Sequence, residues 1–595
     1  MATANPMLSI LAFCIASSVL PYRWVYVQTN LQVPKNADML IELIPRAKRA
    51  GYNGIVLADT KLQRLDSVPD WYFANARRVL AKAKENQIDL IPAIWPMGYA
   101  SAMLGHDVNL IEGMPVQKAP FVVHGSEARP EDESNLLANG GLEQTAQGKL
   151  AGLSMQDGPG VSSIPDPQVK HEGAQSIRME NFHQGNEAGN ARLVWTVPVR
   201  PHRQYRISAW VKTQDLRGYV QVTALDETGR SLTINDLPLT GTRDWSQIQM
   251  SFNSLQNRQV RLYIGVWGGK AGRIWWDDVK LQDGGLLNVL RRAGCPVEVA
   301  SDKGETFTEG KDYARIEDPK LGATPWAGEY EAEHQSPSLR ILPNSRIKNG
   351  QRLLVSFFHA KTGPNNQAAI CLSEPKTAEV MRDELQRVAD LFHPKGFFWS
   401  HDEIRVGGWC AACLKTGLTP GGILAANARL GAQIQNRIQK GSEIYVWSDM
   451  FDPFHNAVDN YYLTNGTLAK SWEGLSKDAI VVNWNSGKAK DSLSFFAHRG
   501  NRQILAGYYD SPTENFKPWL AEAAKVQGVV GVMYTTWVGN YDDLEAFAKV
   551  AFTRNDDGSM PFGKARSKSP LTTSSQTEPW VAPRSTVSPC HPDKR

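Results

Sequence analysis

Two adjacent carboxylates, Asp402 and Glu403, stand in the run Trp399-Ser400-His401-Asp402-Glu403-Ile404-Arg405. Carboxyl groups this close repel when both are ionised, and an apolar wall raises the pKa of one further. A protonated member of such a pair can donate to a leaving-group oxygen, while an ionised one orients a substrate group or stabilises developing positive charge. The same half of the chain carries four more clusters of aromatic and polar residues. They are Trp447-Ser448-Asp449-Met450-Phe451-Asp452-Pro453-Phe454-His455-Asn456, Asn483-Trp484-Asn485, Tyr508-Tyr509-Asp510 and Tyr534-Thr535-Thr536-Trp537. Flat aromatic faces beside hydrogen-bonding groups suit sugar rings, whose C–H faces stack while their hydroxyls need partners. Asp402 and Glu403 are therefore the candidate catalytic pair. His401, Arg405, Trp447, Asp449, Asp452, His455, Trp484, Asn485, Tyr508, Tyr509, Asp510, Tyr534 and Trp537 are the candidate substrate-binding set. His401, His455, Asp449 and Asp452 are also chemically acceptable ligands for zinc or iron. Hydroxyl recognition uses the same side chains, and the expectation is no catalytic metal and no required cofactor.

These residues need elements that bring them to one place. Short apolar runs alternate with amphipathic helical text at both ends of the chain. Early strand candidates are Arg23–Thr29, 54–58 and Ile88–Ile94. Later ones are Gly396–Ser400, Ile444–Ser448, Ile480–Asn483, Gln503–Tyr508 and Val529–Tyr534. Apolar runs of this kind between helices indicate parallel strands covered on both faces. Eight such units predict an α/β fold, a (β/α)8 TIM barrel interrupted after strand 3, whose active site lies at the C-terminal strand ends. Ser373-Glu374-Pro375 predicts a helix start with Ser373 as N-cap. Each chemistry-bearing cluster of the second half follows one of the late strands.

Between Ser134 and Gln282 the helical periodicity vanishes. Alternating runs at Ala191–Val199, Gln204–Thr213, Val220–Leu225, Ser246–Phe252, Val260–Val266 and Arg273–Leu281, separated by turn residues, predict an antiparallel β-sandwich. The expected organisation is a possible signal segment at 1–20, the first part of the barrel at 21–130 and the sandwich at 131–285. A small β-rich connecting region at 286–365, the second part of the barrel at 366–554 and a disordered tail at 555–595 complete it. Leu353–His359 is a buried strand that the sequence does not assign to a sheet.

The composition limits the alternatives. The 595-residue chain has 65 Lys and Arg against 61 Asp and Glu, a net charge of +4, and no long basic block. That is too mild to imply nucleic acid as the partner. The 18 Trp, 17 Tyr and 19 Phe favour a saccharide. Met7 to Leu20 is apolar but too short to span a bilayer. It lies where a signal h-region would, so export to a periplasmic or extracellular space is expected, with no membrane span. Six Cys are too few for a disulfide scaffold. Cys410 and Cys413 form one C-x-x-C, half of a zinc site, which Cys295 and Cys371 complete only if folding brings them close. A plain thiol pair or a local disulfide is the expectation.

Two resemblances follow. Asn135-Leu-Leu-Ala-Asn-Gly-Gly-Leu-Glu143 opens the β-rich segment and Trp275-Trp-Asp-Asp-Val279 closes it. These ends resemble the jelly-roll carbohydrate-binding modules, which implies a glycan-binding sandwich and a structural calcium held by Asp277 and Asp278. The barrel text resembles the family 20 glycoside hydrolases, the β-N-acetylhexosaminidases, which carry an Asp-Glu pair after strand 4. That resemblance implies Glu403 as general acid/base and Asp402 as the residue orienting the substrate's own 2-acetamido nucleophile, a retaining mechanism. It also implies Trp447 and Trp537 as sugar-box walls, Tyr508 or Tyr509 as the acetamido partner, and Asp449 as the acidic residue after the strand 5 Trp. Ser400 and His401 replace the family's two Gly, and Thr29, Asn30 and Gln32 stand where it has an Arg. Pro92-Ala-Ile-Trp-Pro-Met-Gly-Tyr99 lacks the acids and His of its strand 3 motif. For a substrate without an acetamido group, Asp449 or Asp510 would be the nucleophile. The other readings are a non-catalytic glycan-binding protein and a metal-dependent hydrolase built on His401, Asp449 and His455.

Overall fold

A computed structural model describes residues 20–146, 149–234, 237–322, 332–364 and 367–552. Apart from Leu20, the apolar N-terminal run and the tail at 555–595 lie outside the described residues.

Eight parallel strands close into a barrel in chain order: β1 (Tyr22–Thr29), β2 (Gly54–Asp59), β3 (Asp89–Ile94), β4 (Gly396–Trp399), β5 (Glu443–Trp447), β6 (Ile480–Asn483), β7 (Arg502–Tyr508) and β8 (Val529–Thr535). β8 pairs with β1 through Tyr22–Gly531 to Val25–Tyr534. These are the eight runs expected, and the break falls after β3. Helices α1 (Pro34–Arg49), α2 (Asp70–Glu85), α3 (Pro375–Phe392), α4 (Pro420–Ile438), α5 (Ala489–Arg499), α6 (Lys517–Ala523) and α7 (Leu544–Phe552) cover the outside. Helix α3 starts one residue later than expected. Glu374 is its N-cap without a side-chain cap bond, and the buried Ser373 hydroxyl makes no hydrogen bond.

Strand alternation sorts the side chains into two layers. Trp24, Tyr26, Val56, Ile91, Phe398, Tyr445, Trp447, Val482, Ile504, Ala506 and Met533 fill the barrel interior, with Trp484 and Trp537 packed on top. The residues between them, such as Val25, Phe397, Trp399, Val446 and Tyr534, face the helices.

The insertion holds two large antiparallel sheets and a two-stranded ribbon, Thr145–Ala146 with Lys149–Leu150. The larger has seven strands, and its centre is a pair of long strands, Gln204–Leu225 and Gln259–Asp283. Each merges two of the short runs read from the sequence. Register shifts between Gln214 and Tyr219 let the strand bend and stay paired through the apparent turn. The smaller sheet has six strands. There Arg352–Ala360 pairs with Gly113–His124. This places the unassigned Leu353–His359 run outside the barrel. It also moves residues 113–130 out of the barrel text in which they were expected.

Candidate active site

The C-terminal ends of β4 and β5 build the centre. After β4 the chain passes Ser400 and His401, and Glu403 adopts a left-handed backbone, φ 47°. That conformation is uncommon for a residue with a side chain and costs on the order of 1–3 kcal/mol. The Glu403 backbone N–H donates to Asp449 Oδ2 at 2.9 Å. Asp449 is fully buried just beyond β5. The same oxygen accepts from Asn456 Nδ2 at 2.8 Å, and Oδ1 accepts from Trp484 Nε1 at 3.3 Å. Gln367 Nε2 donates to the Glu403 carbonyl at 3.1 Å. From the segment after β3, Gly98 approaches so closely that a Cβ there would lie 2.1 Å from the Asp402 carbonyl oxygen.

The carboxyl groups differ in environment. Burial pushes Asp402 well above the ordinary carboxylate range, and the charges of Asp449 and Glu403 push the same way. Burial lifts Asp449 to about 6 against its three donors. Glu403 sits at the opening, its side chain 22% exposed, in an ion pair with Arg405 at 2.9 Å. The Tyr99 hydroxyl also donates to it. The Arg405 guanidinium lies 5.2 Å over the Tyr462 ring.

Aromatic rings surround this group. Trp447 and Trp537 stand 6.2 Å apart and both flank Tyr26 at 5.5 Å. Tyr509 lies 5.9 Å from Trp537 and stacks 6.4 Å from Trp484. Its phenol is raised by burial and then by the charges of Asp449, Tyr26, Asp402 and Glu403, and its hydroxyl has no hydrogen-bond partner. His455 packs edge-on to Trp484 at 4.3 Å. Burial lowers its pKa, which favours the neutral ring.

Of the expected set, Asp402, Glu403, Arg405, Trp447, Asp449, His455, Trp484, Tyr509 and Trp537 converge. Six residues do not. His401 faces outward, fully buried between Trp399 and Phe451, with Nε2 3.1 Å from Asn427 Oδ1 on α4. Burial holds its pKa down at about 4. The metal triad of His401, Asp449 and His455 is therefore not assembled. Tyr508 stacks on Tyr534 at 4.2 Å, both pack against Phe547 of α7, and the Tyr508 hydroxyl donates to Asp543. Asp510 caps the turn after β8, accepting from Thr536 Oγ1 and Trp537 N. That leaves neither Tyr508, Tyr534 nor Asp510 in the box. Asp452 and Asn485 bond to each other at 3.1 Å, and Asp452 also accepts from Ser492 on α5 at 2.6 Å. This is a support behind the rim.

The residues that sequence reasoning missed are Tyr26, Tyr99, Gln367 and Gly98; Asn456 stood in the cluster after strand 5 but outside the substrate-binding set. Strand parity was a usable signal for Tyr26, because it lies two positions after Trp24 on the inward face.

On the large inserted sheet, alternation leaves Arg192, Tyr263, Trp267, Tyr219 and Gln221 facing out. Trp267 pairs with Tyr219, and Gly265 lies between Arg192 and Gln221. The Arg192 guanidinium lies 5.5 Å over Trp267. Asp277 and Asp278 take separate partners. Asp277 accepts from the His171, Glu172 and Asp278 N–H groups, and Asp278 pairs with Lys280 at 2.6 Å.

This sheet has a counterpart among known families. Residues 134–272 match the family described as a carbohydrate binding domain. A solved family 16 carbohydrate-binding module is similar at 21% identity, covering 25% of this chain and 100% of its own, with TM-score 0.19. A xylan-binding domain from Paenibacillus barcinonensis is 17% identical over 27% of this chain and 97% of its own, with TM-score 0.20. A rhamnosidase from Novosphingobium sp. PP1Y aligns over 89% of this chain and 56% of its own, at 12% identity and TM-score 0.29. No curated protein matches the chain. No helix among the described residues is long and apolar enough to cross a membrane.

Proposed function

We propose that this chain is a glycoside hydrolase in which a TIM-type barrel cleaves a glycan and the inserted sandwich holds the same polymer. One observation carries the reading. Asp402, Glu403 and Asp449 meet at the C-terminal mouth of a closed parallel barrel, under a box of Trp447, Trp484, Tyr509 and Trp537. Parallel barrels use that face for catalysis, and aromatic walls around carboxyl groups suit a sugar ring. The outward row of Trp267, Tyr219 and Tyr263 on the sandwich offers stacking surface to a second stretch of glycan, with Arg192 held against Trp267 while it pairs with Asp157. An extracellular or periplasmic location agrees with a polymeric substrate.

For chemistry, the β-N-acetylhexosaminidase-like reading has Glu403 protonate the leaving oxygen while Asp402 holds the 2-acetamido group, with Tyr509 as its hydrogen-bond donor. The reaction retains configuration. Glu403 faces the opening, where a glycosidic oxygen would arrive. A second assignment exchanges the roles, and the burial of Asp402 favours it, because burial favours the protonated form of that carboxyl.

Hydrolysis of chromogenic glycosides, N-acetylglucosaminide and N-acetylgalactosaminide first, tests the function. Glu403→Gln and Asp402→Asn should each lower kcat by about 1,000-fold or more, with glycan binding by the sandwich retained. Turnover unchanged in both variants would remove the pair from the mechanism. No turnover on any glycoside, with binding intact, would favour the non-catalytic glycan-binding reading.

A further inference from the structure

Cys295, Cys371 and the Cys410/Cys413 pair come from three separate parts of the chain, and all four cysteines are buried. They converge where the insertion rejoins the barrel. Cys371 Sγ lies 3.5 Å from Cys410 Sγ and 3.7 Å from Cys413 Sγ. Glu112 Oε2 lies 3.4 Å from Cys413 Sγ and 3.9 Å from Cys410 Sγ. The ligand atoms of Glu112, Cys371, Cys410 and Cys413 all fall within 4.8 Å of one another. The Cys295 thiol adjoins Cys410. A tetrahedral zinc ion with bonds of about 2.3 Å to sulfur and 2.0 Å to oxygen has ligand–ligand edges of roughly 3.5–3.8 Å. Four of the cluster's six edges lie at 3.4–3.9 Å, close to these values, and the other two within 4.8 Å. A disulfide needs its sulfurs at about 2.0 Å, and the sulfur pairs with measured separations stand well outside that.

We propose that Cys371, Cys410 and Cys413 bind a structural zinc ion, with the fourth corner filled by Glu112 or Cys295. Soft thiolates select zinc over the hard divalent cations, and four protein ligands leave no open position for chemistry. The surroundings fit an anionic thiolate set. Arg292 Nη1 stands 3.6 Å from Cys410 Sγ while donating to Glu374 at 2.7 Å. Cys410 and Cys413 form a compact fork, because Cys410 is the N-cap residue of the helical turn Ala411–Lys415 and Cys413 lies within that turn. Gly113 makes room, since a Cβ there would lie 2.8 Å from Cys295 Sγ.

The position gives the ion a purpose. Glu112 precedes the insertion and Cys295 follows its large sheet. Cys371 leads into α3, and Cys410 and Cys413 end the loop that starts with Asp402 and Glu403. Ile404 and Val406 of that loop line one small cavity with Glu112 and Cys413. The ion would tie the insertion to the barrel and fix the far end of the acid-bearing loop.

The experiment is elemental analysis of the full chain, produced with zinc supplementation and purified without chelator. One zinc per chain is expected, and Cys410→Ser with Cys413→Ser should lose it. Glu112→Gln and Cys295→Ser identify the fourth ligand, since only the true ligand should lower zinc retention in a chelator competition, by about 10-fold or more. The unaltered chain supplies a readout that does not depend on a variant folding. Removing its metal should expose the buried thiols to a thiol reagent and lower Tm, and added zinc should reverse both. Cobalt refilling should give the thiolate-to-metal charge-transfer band of a tetrahedral site. A chain that carries only substoichiometric metal, or whose four cysteines titrate as disulfides, overturns the proposal. None of these readouts uses glycoside turnover, so they stand or fall apart from the proposed activity.

Discussion

The Asp449 carboxylate just after β5 holds the backbone of Glu403 in the loop after β4 through a 2.9 Å hydrogen bond, and Glu403 there has φ 47°. A buried acid thus fixes the local conformation that carries the candidate catalytic acid, while its charge raises the pKa of Asp402. Asp449→Asn removes the charge and leaves one acceptor oxygen for the three donors that now converge on the carboxylate. It should lower kcat/KM by about 100-fold, about 3 kcal/mol. It should also move the limb of the pH profile that Asp402 sets to lower pH, because Asp402 loses a like charge that favours its protonated form: the acidic limb where Asp402 is the orienting carboxylate, the alkaline limb where it is the proton donor. A profile that drops in height with its limb unmoved would show that the titrating unit lies elsewhere.

Gly98 sets how closely the segment after β3 approaches the acid pair. A Cβ at this position would meet the backbone oxygens of Asp402 at 2.1 Å and Glu403 at 2.7 Å. Backbone atoms cannot rotate aside as a flexible side chain can, so Gly98→Ala must displace one loop. A displacement near 1 Å at a reacting group costs roughly 100-fold in rate. The variant should lose about that much kcat/KM while its sandwich binds glycan as before. Full activity in Gly98→Ala would show that the acid pair tolerates movement.

The barrel was legible because each buried strand is a short apolar run between amphipathic helices, and all eight runs pair in chain order. Site residues were legible as clusters after strands, but their facing was not. His401 sits one residue from Asp402, and parity sends it to the α4 side beside Asn427. Parity alone also fails where the backbone turns left-handed, as at Glu403. The cysteine cluster was only half visible, since the C-x-x-C is local while Cys371 and Glu112 arrive through tertiary packing. The sandwich's bent strands were read as separate runs, because a bulge and a turn share the same residue types.

Glu384 on α3 gives a pH-dependent stability with a defined sign. Its Oε1 accepts from Trp95 N at 3.0 Å and Gln63 Nε2 at 3.3 Å, while Oε2 is unpartnered. Complete burial raises its pKa from the ordinary 4.5 to about 7. Between those values the folded chain holds a proton that the unfolded chain has released. The stabilisation is thus complete below the unfolded value and falls as pH rises through 7, by about 3 kcal/mol at the limit. Glu384→Gln keeps the accepting oxygen and the neutral charge. In thermal melts the variant should match the parent near pH 4, and its advantage should grow as pH rises through the folded pKa. Parallel Tm curves would show that the carboxyl is not titrating there.

Tyr508 and Tyr509 are adjacent, and the structure gives them opposite tasks. Strand parity continued from Ile504 and Ala506 would turn Tyr508 into the barrel. Instead Tyr508, Tyr509 and Asp510 all have positive φ, at 82°, 49° and 54°. Three consecutive non-glycine residues in this region store strain, and such strain gathers at functional sites. The turn puts Tyr508 outward, on Tyr534 and Asp543, and sends Tyr509 into the box between Trp484 and Trp537. Tyr508→Phe should therefore lower Tm, because Asp543 loses its phenol donor, and leave kcat nearly unchanged. Tyr509→Phe should barely change Tm, since its hydroxyl has no partner to lose. It should lower kcat/KM by about 10- to 100-fold if that hydroxyl meets the substrate, the cost of one hydrogen bond made in the transition state. Kinetics and melts of the two variants side by side separate the roles. The reverse pattern, with activity lost in Tyr508→Phe and kept in Tyr509→Phe, would reassign the tyrosine of the box.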